Sequence, residues 1–195
     1  GYSLMDIRRF IFKNRSFTPI PIALIVIHFS SPAVPYFHIG LLLVLIGEVI
    51  RFHAVRYAGG ATRTTTVGAP ALCTAGPYAR TRNPLYLGNI VIYIGMVFVS
   101  GGAWMWYLLL LTITFFILQY ALIISLEEET LTLKFSSAYK IYSDNVPRLI
   151  PRLNAWKNKN HRQTLTVKQT LRNEKRTLQN IVIISVIIIF KPIFF

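Results

Sequence analysis

One stretch of the sequence joins a basic, polar loop to a long uncharged segment. It reads Gly76-Pro77-Tyr78-Ala79-Arg80-Thr81-Arg82-Asn83-Pro84-Leu85-Tyr86-Leu87-Gly88. Its two glycines allow close approach of another chain segment, and its two prolines restrict the backbone and are tolerated in the first turn of a helix. Arg82 precedes the uncharged segment, where a cation can meet an anionic cofactor group or a lipid headgroup. We interpret the stretch as the rim of a binding site at a membrane surface.

The composition is typical of a membrane protein. Of the 195 residues, 53% are hydrophobic and only 14% are charged, which is unusual for a soluble domain. The net charge is +14, but the basic residues lie in blocks between apolar segments, which favours membrane lipids over nucleic acid as partners. The single cysteine and the four scattered histidines lack the spacing of metal ligands, so no metal site is predicted.

The uncharged segments predict an all-α fold, a multi-span transmembrane helical bundle. A helix needs about 20 residues to cross the hydrocarbon core, and proline or glycine marks the tips of two hairpins. The expected spans are residues 17–30, 37–57, 84–99 and 103–126, with a possible fifth at 180–195. A signal peptide is the alternative for the first segment, but the apolar segment that follows it at once favours a hairpin.

The charge distribution predicts the orientation of these spans. Both hairpin tips, near Ser31 and Gly101, lack Lys and Arg, whereas the N-terminal residues and regions 51–82 and 134–176 are rich in them. The positive-inside rule then places the N-terminus and the active site on the cytoplasmic side.

The chain divides into a membrane-embedded domain at 1–152, with its core at about 37–152, and a basic tail at 153–195. The basic part of the tail is expected to be a solvated or lipid-surface helix. Before the tail, apolar and aromatic residues at helical spacing predict a helix in or near the membrane interface. These residues are Leu131, Phe135, Tyr139 and Tyr142.

Two groups of charges accompany the spans. Glu48 and Arg51 are three residues apart and can pair on one helix face. They either have a function within the membrane-embedded part of the helix or simply neutralise each other at the interface. Glu127-Glu128-Glu129 ends the fourth expected span. Adjacent carboxylates at a low-dielectric boundary require cations or donors. Arg82 or a cationic cofactor such as S-adenosylmethionine fits this need, whereas spacing alone favours pairing with Lys134 and Arg148.

The motifs, taken in order, resemble one family of membrane enzymes. They run Gly76-x-Tyr78-x3-Arg82-Asn83-Pro84-x-Tyr86-x-Gly88, then Glu127-Glu128, then Phe135-x3-Tyr139-x2-Tyr142-x3-Val146-Pro147. This set is similar to that of the isoprenylcysteine carboxyl methyltransferases, and the related phospholipid methyltransferases share its glycine-bearing and Glu-Glu elements. With Gly47-Glu48-x2-Arg51 upstream, the resemblance covers about residues 40–152.

The resemblance implies an integral membrane enzyme that transfers a methyl group from S-adenosylmethionine to a lipophilic acceptor, with a cofactor pocket open to the cytoplasm. By motif position, the implied cofactor residues are Tyr78, Arg82, Asn83, Pro84, Tyr86, Gly88, Glu127 and Glu128. Gly76 and Pro77 join them because their backbone can hold an adenine edge. The catalytic residues are expected to be Arg82, which orients a carboxylate, Tyr86, which lines the pocket, and Glu128, which positions the cationic end of the cofactor.

Two positions depart from the family pattern. Asn83 stands where the family usually has His, and Ser136 where it usually has Gly. Asn donates a hydrogen bond but does not titrate as a base. A carboxylate acceptor needs no base because it is already ionised at neutral pH, whereas an amine or hydroxyl would have to lose a proton. The enzyme must chiefly align the nucleophile, the methyl group and the leaving sulfur, which can contribute about 7–11 kcal/mol. An isoprenylcysteine-like carboxylate and a lipid headgroup both stay open as acceptors. The alternatives are a sterol-reductase-like NADPH enzyme and a non-enzymatic membrane scaffold that binds lipid.

Overall fold

The computed structural model describes residues 2–59, 66–157 and 163–194. Within these ranges the chain is helical, and its one β-type contact is an isolated bridge between Ser31 and Gly101, so the all-α expectation is confirmed. The helices are α1 (Tyr2–Asn14), α2 (Ile20–His28), α3 (Tyr36–Ala58), α4 (Pro84–Ser100), α5 (Met105–Asn145) and α6 (Val167–Phe194), with a short 3₁₀ helix at Gly76–Ala79.

Glycines bring α3 and α4 into close antiparallel contact. A Cβ added to Gly40 would lie 2.4 Å from the backbone nitrogen of Val99, and one added to Gly95 would lie 2.7 Å from that of Val44. Gly47 and Gly88 make the same kind of contact two turns further along. Small residues that let backbones approach are a common basis of helix packing in membranes, so this pair forms the closely packed centre of the bundle.

Two described helices, α3 and α5, are long and apolar enough to cross a membrane, and α4 is a shorter apolar helix of 17 residues. The expectation of four spans is therefore not confirmed. The first expected span contains α2, which has only nine residues and covers about 14 Å at a rise of about 1.5 Å per residue. Pro19 and Pro21 lie at its start, because proline is tolerated in the first turn but not inside a helix.

The tips of the two expected hairpins meet at one end of the bundle. The backbone nitrogen of Ser31 donates to the Ser100 carbonyl at 2.7 Å. Since α4 ends here and begins at Pro84, the Gly76–Gly88 stretch lies at the opposite end. Large apolar side chains on α3 and α5 face outward between these ends, among them Leu42, Leu45, Leu110 and Leu118. Such a surface is what a lipid-facing helix presents.

The long helix α5 is kinked at Ser136, which has φ of 42° and ψ of −115°. Beyond the kink, the helix directs Tyr139 and Tyr142 into a buried cluster with Val146, against which Phe135 and Trp156 pack. The aromatic stripe expected at a membrane interface therefore contributes to a small core. This core lies directly beneath the Gly76–Gly88 stretch, because the Tyr142 hydroxyl donates to the Tyr78 carbonyl at 2.8 Å.

The tail helix α6 packs on α2, α3 and α4. Its Ile188 is fully buried in a cluster with Val44 and Met96, and its Glu174 is also fully buried. The part of the tail from Val167 onward is thus one helix that runs from the basic region into the apolar end. The domain boundary after residue 152 stays a prediction.

Candidate functional site

Backbone hydrogen bonds fix the Gly76–Gly88 stretch against the segment that follows α5. The Arg82 nitrogen donates to the Pro147 carbonyl at 2.9 Å, and the Arg152 nitrogen donates to the Arg80 carbonyl at 3.0 Å. The Thr81 hydroxyl adds a bond to the Leu149 carbonyl at 3.0 Å. Two loops that lie far apart in the sequence therefore form one rim.

The start of the stretch is held by the end of α3. Gly76 has φ of +60°, a region that favours glycine. A Cβ at this position would lie 2.6 Å from the Tyr57 ring. Pro77 and Tyr78 follow in the short 3₁₀ helix. The structure thus places the predicted adenine-contacting backbone between α3 and the buried tyrosines of α5.

Arg82 and Glu128 meet at the centre of the site. Nη2 of Arg82 lies 3.0 Å from Oε1 of Glu128, although 45 residues lie between them. Arg148 approaches the same carboxylate from outside, with Nη2 2.6 Å from Oε2 and Nε 3.1 Å from Oε1. This bonding raises the pKa of the Arg148 guanidinium above its ordinary value, through the hydrogen bonds to Glu128 and then through Coulomb attraction to it. One carboxylate therefore joins an inner and an outer arginine.

Arg82, the inner arginine, has a hydrogen-bond donor without a partner. Its Nε is buried and has no hydrogen-bond partner, and its Nη1 lies 3.5 Å from the Tyr139 hydroxyl. Its guanidinium carbon lies 6.0 Å from the centre of the Tyr139 ring. A buried donor without a partner costs about 1–3 kcal/mol, so an acceptor atom placed beside Arg82 Nε would relieve this cost.

A second acidic group lies one residue away and has a different partner. The Tyr86 hydroxyl donates to Oε1 of Glu127 at 3.0 Å. The Tyr86 ring stacks on Tyr120 of α5, with ring centres 4.5 Å apart and planes 28° from parallel. The site therefore offers two neighbouring carboxylates, one held by arginines and one by a tyrosine.

The sequence model of the phospholipid methyltransferase family matches residues 36–138, slightly more than half of the chain. The chain belongs to the phospholipid methyltransferase family. The resemblance drawn from the motifs is confirmed, and membership implies a methyltransferase with a lipid-related substrate. Neither a search of curated proteins nor a search of solved structures found a match. Arg82, Tyr86, Glu127 and Glu128 lie inside the matched segment, whereas Arg148 and α6 lie outside it.

The remaining predicted residues of this phospholipid methyltransferase family member support the rim or the helix packing. The Asn83 amide donates to the Arg148 carbonyl at 2.8 Å, and Pro84 is the buried first residue of α4. Gly88 faces α3, where a Cβ would lie 2.6 Å from Cγ of Arg51. The third acidic residue, Glu129, pairs with Arg8 of α1 at 3.0 Å. Its neighbours Glu127 and Glu128 thus reach the site while Glu129 anchors α1.

Both interpretations of the acidic cluster hold in part. Glu128 binds Arg82, as the need of adjacent carboxylates for a cation suggested, and also Arg148, as spacing suggested. Lys134 instead donates to the Ala69 carbonyl at 2.7 Å.

Two contacts near the site were not predicted from the sequence. Asn89 donates to the Tyr120 hydroxyl at 2.9 Å, and Arg51 binds Glu174 of α6 at 2.9 Å. A signal was present for Asn89, which is a lone amide in the uncharged segment that becomes α4. The sequence carried no comparable signal that joined Arg51 to a residue of the tail.

Proposed function

We propose that this protein transfers a methyl group from S-adenosylmethionine to a lipophilic acceptor at the cytoplasmic face of a membrane. One observation carries the proposal: Arg82 and Glu128, both inside the family-matched segment, meet at 3.0 Å where α4 begins. A cation and a carboxylate side by side complement a ligand that carries both an amino group and a carboxylate, as this cofactor does.

The residues present fit such a cofactor. Arg82 Nε is a buried donor that lacks a partner, and it can bind a carboxylate. Glu127 and Glu128 can bind an amino group. Arg148 is the more exposed partner of Glu128, with 57% of its side chain accessible, so it can release the carboxylate to a cationic ligand. When bound, S-adenosylmethionine would supply a methyl group already activated on a sulfonium.

The chain's own residues orient and shield the reacting groups. Tyr86 holds Glu127 in place by its hydroxyl and is itself fixed by stacking on Tyr120. The buried ring of Tyr139 lies beside Arg82 and limits access of water to it. Asn83 bonds a backbone carbonyl and has no titrating group, so we assign it to holding the rim. Alignment, rather than proton removal by Asn83, is the main contribution of this site.

Cofactor binding tests the proposal. The purified protein in lipid nanodiscs is titrated with S-adenosylhomocysteine and, separately, with NADPH. We expect binding of the first alone, and Glu128→Gln should weaken it about tenfold or more, because the carboxylate loses its charge. Glu129→Gln is the matched control, since Glu129 is adjacent, 45% exposed and bonded to Arg8 instead.

Three results would count against the proposal. Binding of NADPH alone would favour a reductase, and binding of neither ligand would favour a scaffold. Equal effects of Glu128→Gln and Glu129→Gln would remove Glu128 from the site.

The acceptor is then sought by incubating lipid extracts with a methyl-labelled cofactor and identifying labelled lipids by mass spectrometry. An amine-bearing headgroup and an isoprenylcysteine carboxylate give products of different mass.

A further inference from the structure

Glu174 is the most enclosed charged group among the described residues. It lies on α6, outside the family-matched segment, and its side chain has no accessible surface. Arg51 of α3 binds it with two parallel hydrogen bonds, Nε to Oε2 at 3.0 Å and Nη2 to Oε1 at 2.9 Å. A paired geometry of this kind fixes the orientation of a guanidinium as well as its position.

The oriented Arg51 begins a chain of contacts that leads to the site. Its Nη1 donates to Oδ1 of Asn89 at 2.5 Å. The amide nitrogen of Asn89 then donates to the Tyr120 hydroxyl at 2.9 Å. An Asn side chain has one acceptor and one donor end, so the bond from Arg51 determines which end faces Tyr120. The Tyr120 ring stacks on Tyr86, and the Tyr86 hydroxyl donates to Glu127.

We propose that Glu174 of the tail helix is a positioning residue for the cofactor site, acting through Arg51, Asn89 and Tyr120 on Tyr86 and Glu127. The assignment of Glu127 to a cofactor rests on the function proposed above, whereas the effect on Tyr86 does not. The tail helix is then a working part of the enzyme, although the family match ends at residue 138.

The chemistry of a buried pair explains why the effect should reach Tyr86. Removing the charge of Glu174 deprives Arg51 of the carboxylate that makes its two parallel bonds in a buried site, which is unfavourable. Arg51 then has to reorient toward other acceptors, and the Asn89 amide loses the bond that sets its orientation. Tyr120 and its stacked partner Tyr86 would shift with it. A purely structural role for Glu174 predicts lower stability with no specific change at Tyr86.

The test combines a binding measurement with a probe at position 86. Glu174→Gln keeps the size of the side chain but removes its charge, and Lys175→Gln is the matched control on the exposed face of the same helix. Tyr86 is replaced by 3-fluorotyrosine in each background, and its ¹⁹F resonance is recorded in nanodiscs. S-adenosylhomocysteine affinity is measured on the unlabelled variants. If Glu174→Gln does not fold, Glu174→Asp keeps the charge and shortens its reach.

We expect Glu174→Gln to shift the ¹⁹F resonance and to weaken S-adenosylhomocysteine binding about tenfold, by analogy with the loss that follows removal of a partner that orients a metal ligand. Lys175→Gln should do neither. In a Tyr120→Phe background, Glu174→Gln should have a smaller effect on affinity, because the two changes interrupt the same chain of contacts.

The outcomes separate this inference from the proposed function. An unchanged ¹⁹F resonance in folded Glu174→Gln, or in Glu174→Asp where the first variant does not fold, overturns the positioning role even if the ligand binds the unmodified protein. A shifted resonance supports it even if the unmodified protein binds no S-adenosylhomocysteine, in which case only the cofactor assignment fails. Equal shifts in Glu174→Gln and Lys175→Gln would indicate a general loosening of α6 and would also overturn it.

Discussion

Two arginine–glutamate clusters differ in how much of their side chains is exposed to solvent. Glu174 is completely buried and Arg51 is 11% exposed. Glu128 is 17% exposed, and its outer partner Arg148 is 57% exposed. We call Arg51 and Glu174 the closed pair, and Arg82, Glu128 and Arg148 the open cluster. The two clusters use the same chemical groups and similar distances, from 2.6 to 3.1 Å, so their environment makes the difference.

This difference in exposure suits the buried pair to holding helices in position and the exposed pair to binding a ligand. A buried pair is costly to break because its charges have little access to water, so the Arg51–Glu174 pair should resist opening. An exposed pair gains little and exchanges readily with water or ions. The Arg148–Glu128 pair can therefore open to a ligand while the closed pair keeps the surrounding helices in place.

Breaking the closed pair should have the largest effect on stability. We expect Arg51→Ala to lower the free energy of unfolding by about 3–5 kcal/mol, because Glu174 loses both of its arginine bonds in a buried site. Urea titration in detergent micelles, followed by circular dichroism, measures the change.

The double variant Arg51→Leu/Glu174→Leu is the control for this prediction. It should recover much of the loss, because an apolar pair has no desolvation cost in such a site. A double variant as unstable as Arg51→Ala would show that packing, and not the buried charge, causes the loss.

The second-largest effect on stability should come from adding a methyl group beside Arg51 of the closed pair. Gly88→Ala places a Cβ 2.6 Å from Cγ of Arg51 and 2.9 Å from the Gly47 carbonyl. Because α3 and α4 are in backbone contact here, we expect a loss of about 1–3 kcal/mol in the same urea titration. Wild-type stability in this variant would mean that the helices separate easily, and Arg51 would then not be rigidly held.

Relieving the backbone strain at the Ser136 kink should have a smaller effect, and it should stabilise the protein rather than destabilise it. Ser136 has a positive φ, a conformation that residues other than glycine rarely adopt. Because glycine adopts this conformation without a steric penalty, Ser136→Gly should stabilise the protein by about 1 kcal/mol, measured by urea titration. Ser143→Gly, in the regular helix beyond the kink, is the control and should destabilise by about 0.5–1 kcal/mol. Destabilisation by both changes would contradict strain at Ser136.

The open cluster could be predicted from the sequence, and the closed one could not. Arg82 and Glu128 flank a long uncharged segment, and a hairpin of two helices necessarily brings such ends together. The partner of Arg51, in contrast, lies 123 positions away in a tail that appeared solvent-exposed by composition. Glu48, three residues away, was the obvious local partner. Local spacing identifies i,i+3 pairs but carries no information on tertiary packing.

Span lengths were the other limit of sequence reasoning. The segment at 17–30 has no Asp, Glu, Lys or Arg, but prolines mark the start of its helix, which covers only Ile20–His28. Apolarity alone therefore overestimated the helix. In α3 and α4 the glycines permit close packing, and there the expected bounds of 37–57 and 84–99 agree closely with the observed Tyr36–Ala58 and Pro84–Ser100.

Removing the outer arginine should have the smallest effect on stability and a distinct effect on binding. We expect Arg148→Ala to change the free energy of unfolding by no more than about 1 kcal/mol, because an exposed pair contributes little. Since Arg148 occupies the carboxylate that we assign to the cofactor's amino group, its removal should tighten S-adenosylhomocysteine binding or leave it unchanged. Isothermal titration at low and high salt measures this, and salt should affect the unmodified protein more. Weaker binding in Arg148→Ala would instead make this arginine part of the site, and the open cluster would then be a fixed receptor rather than an exchangeable one.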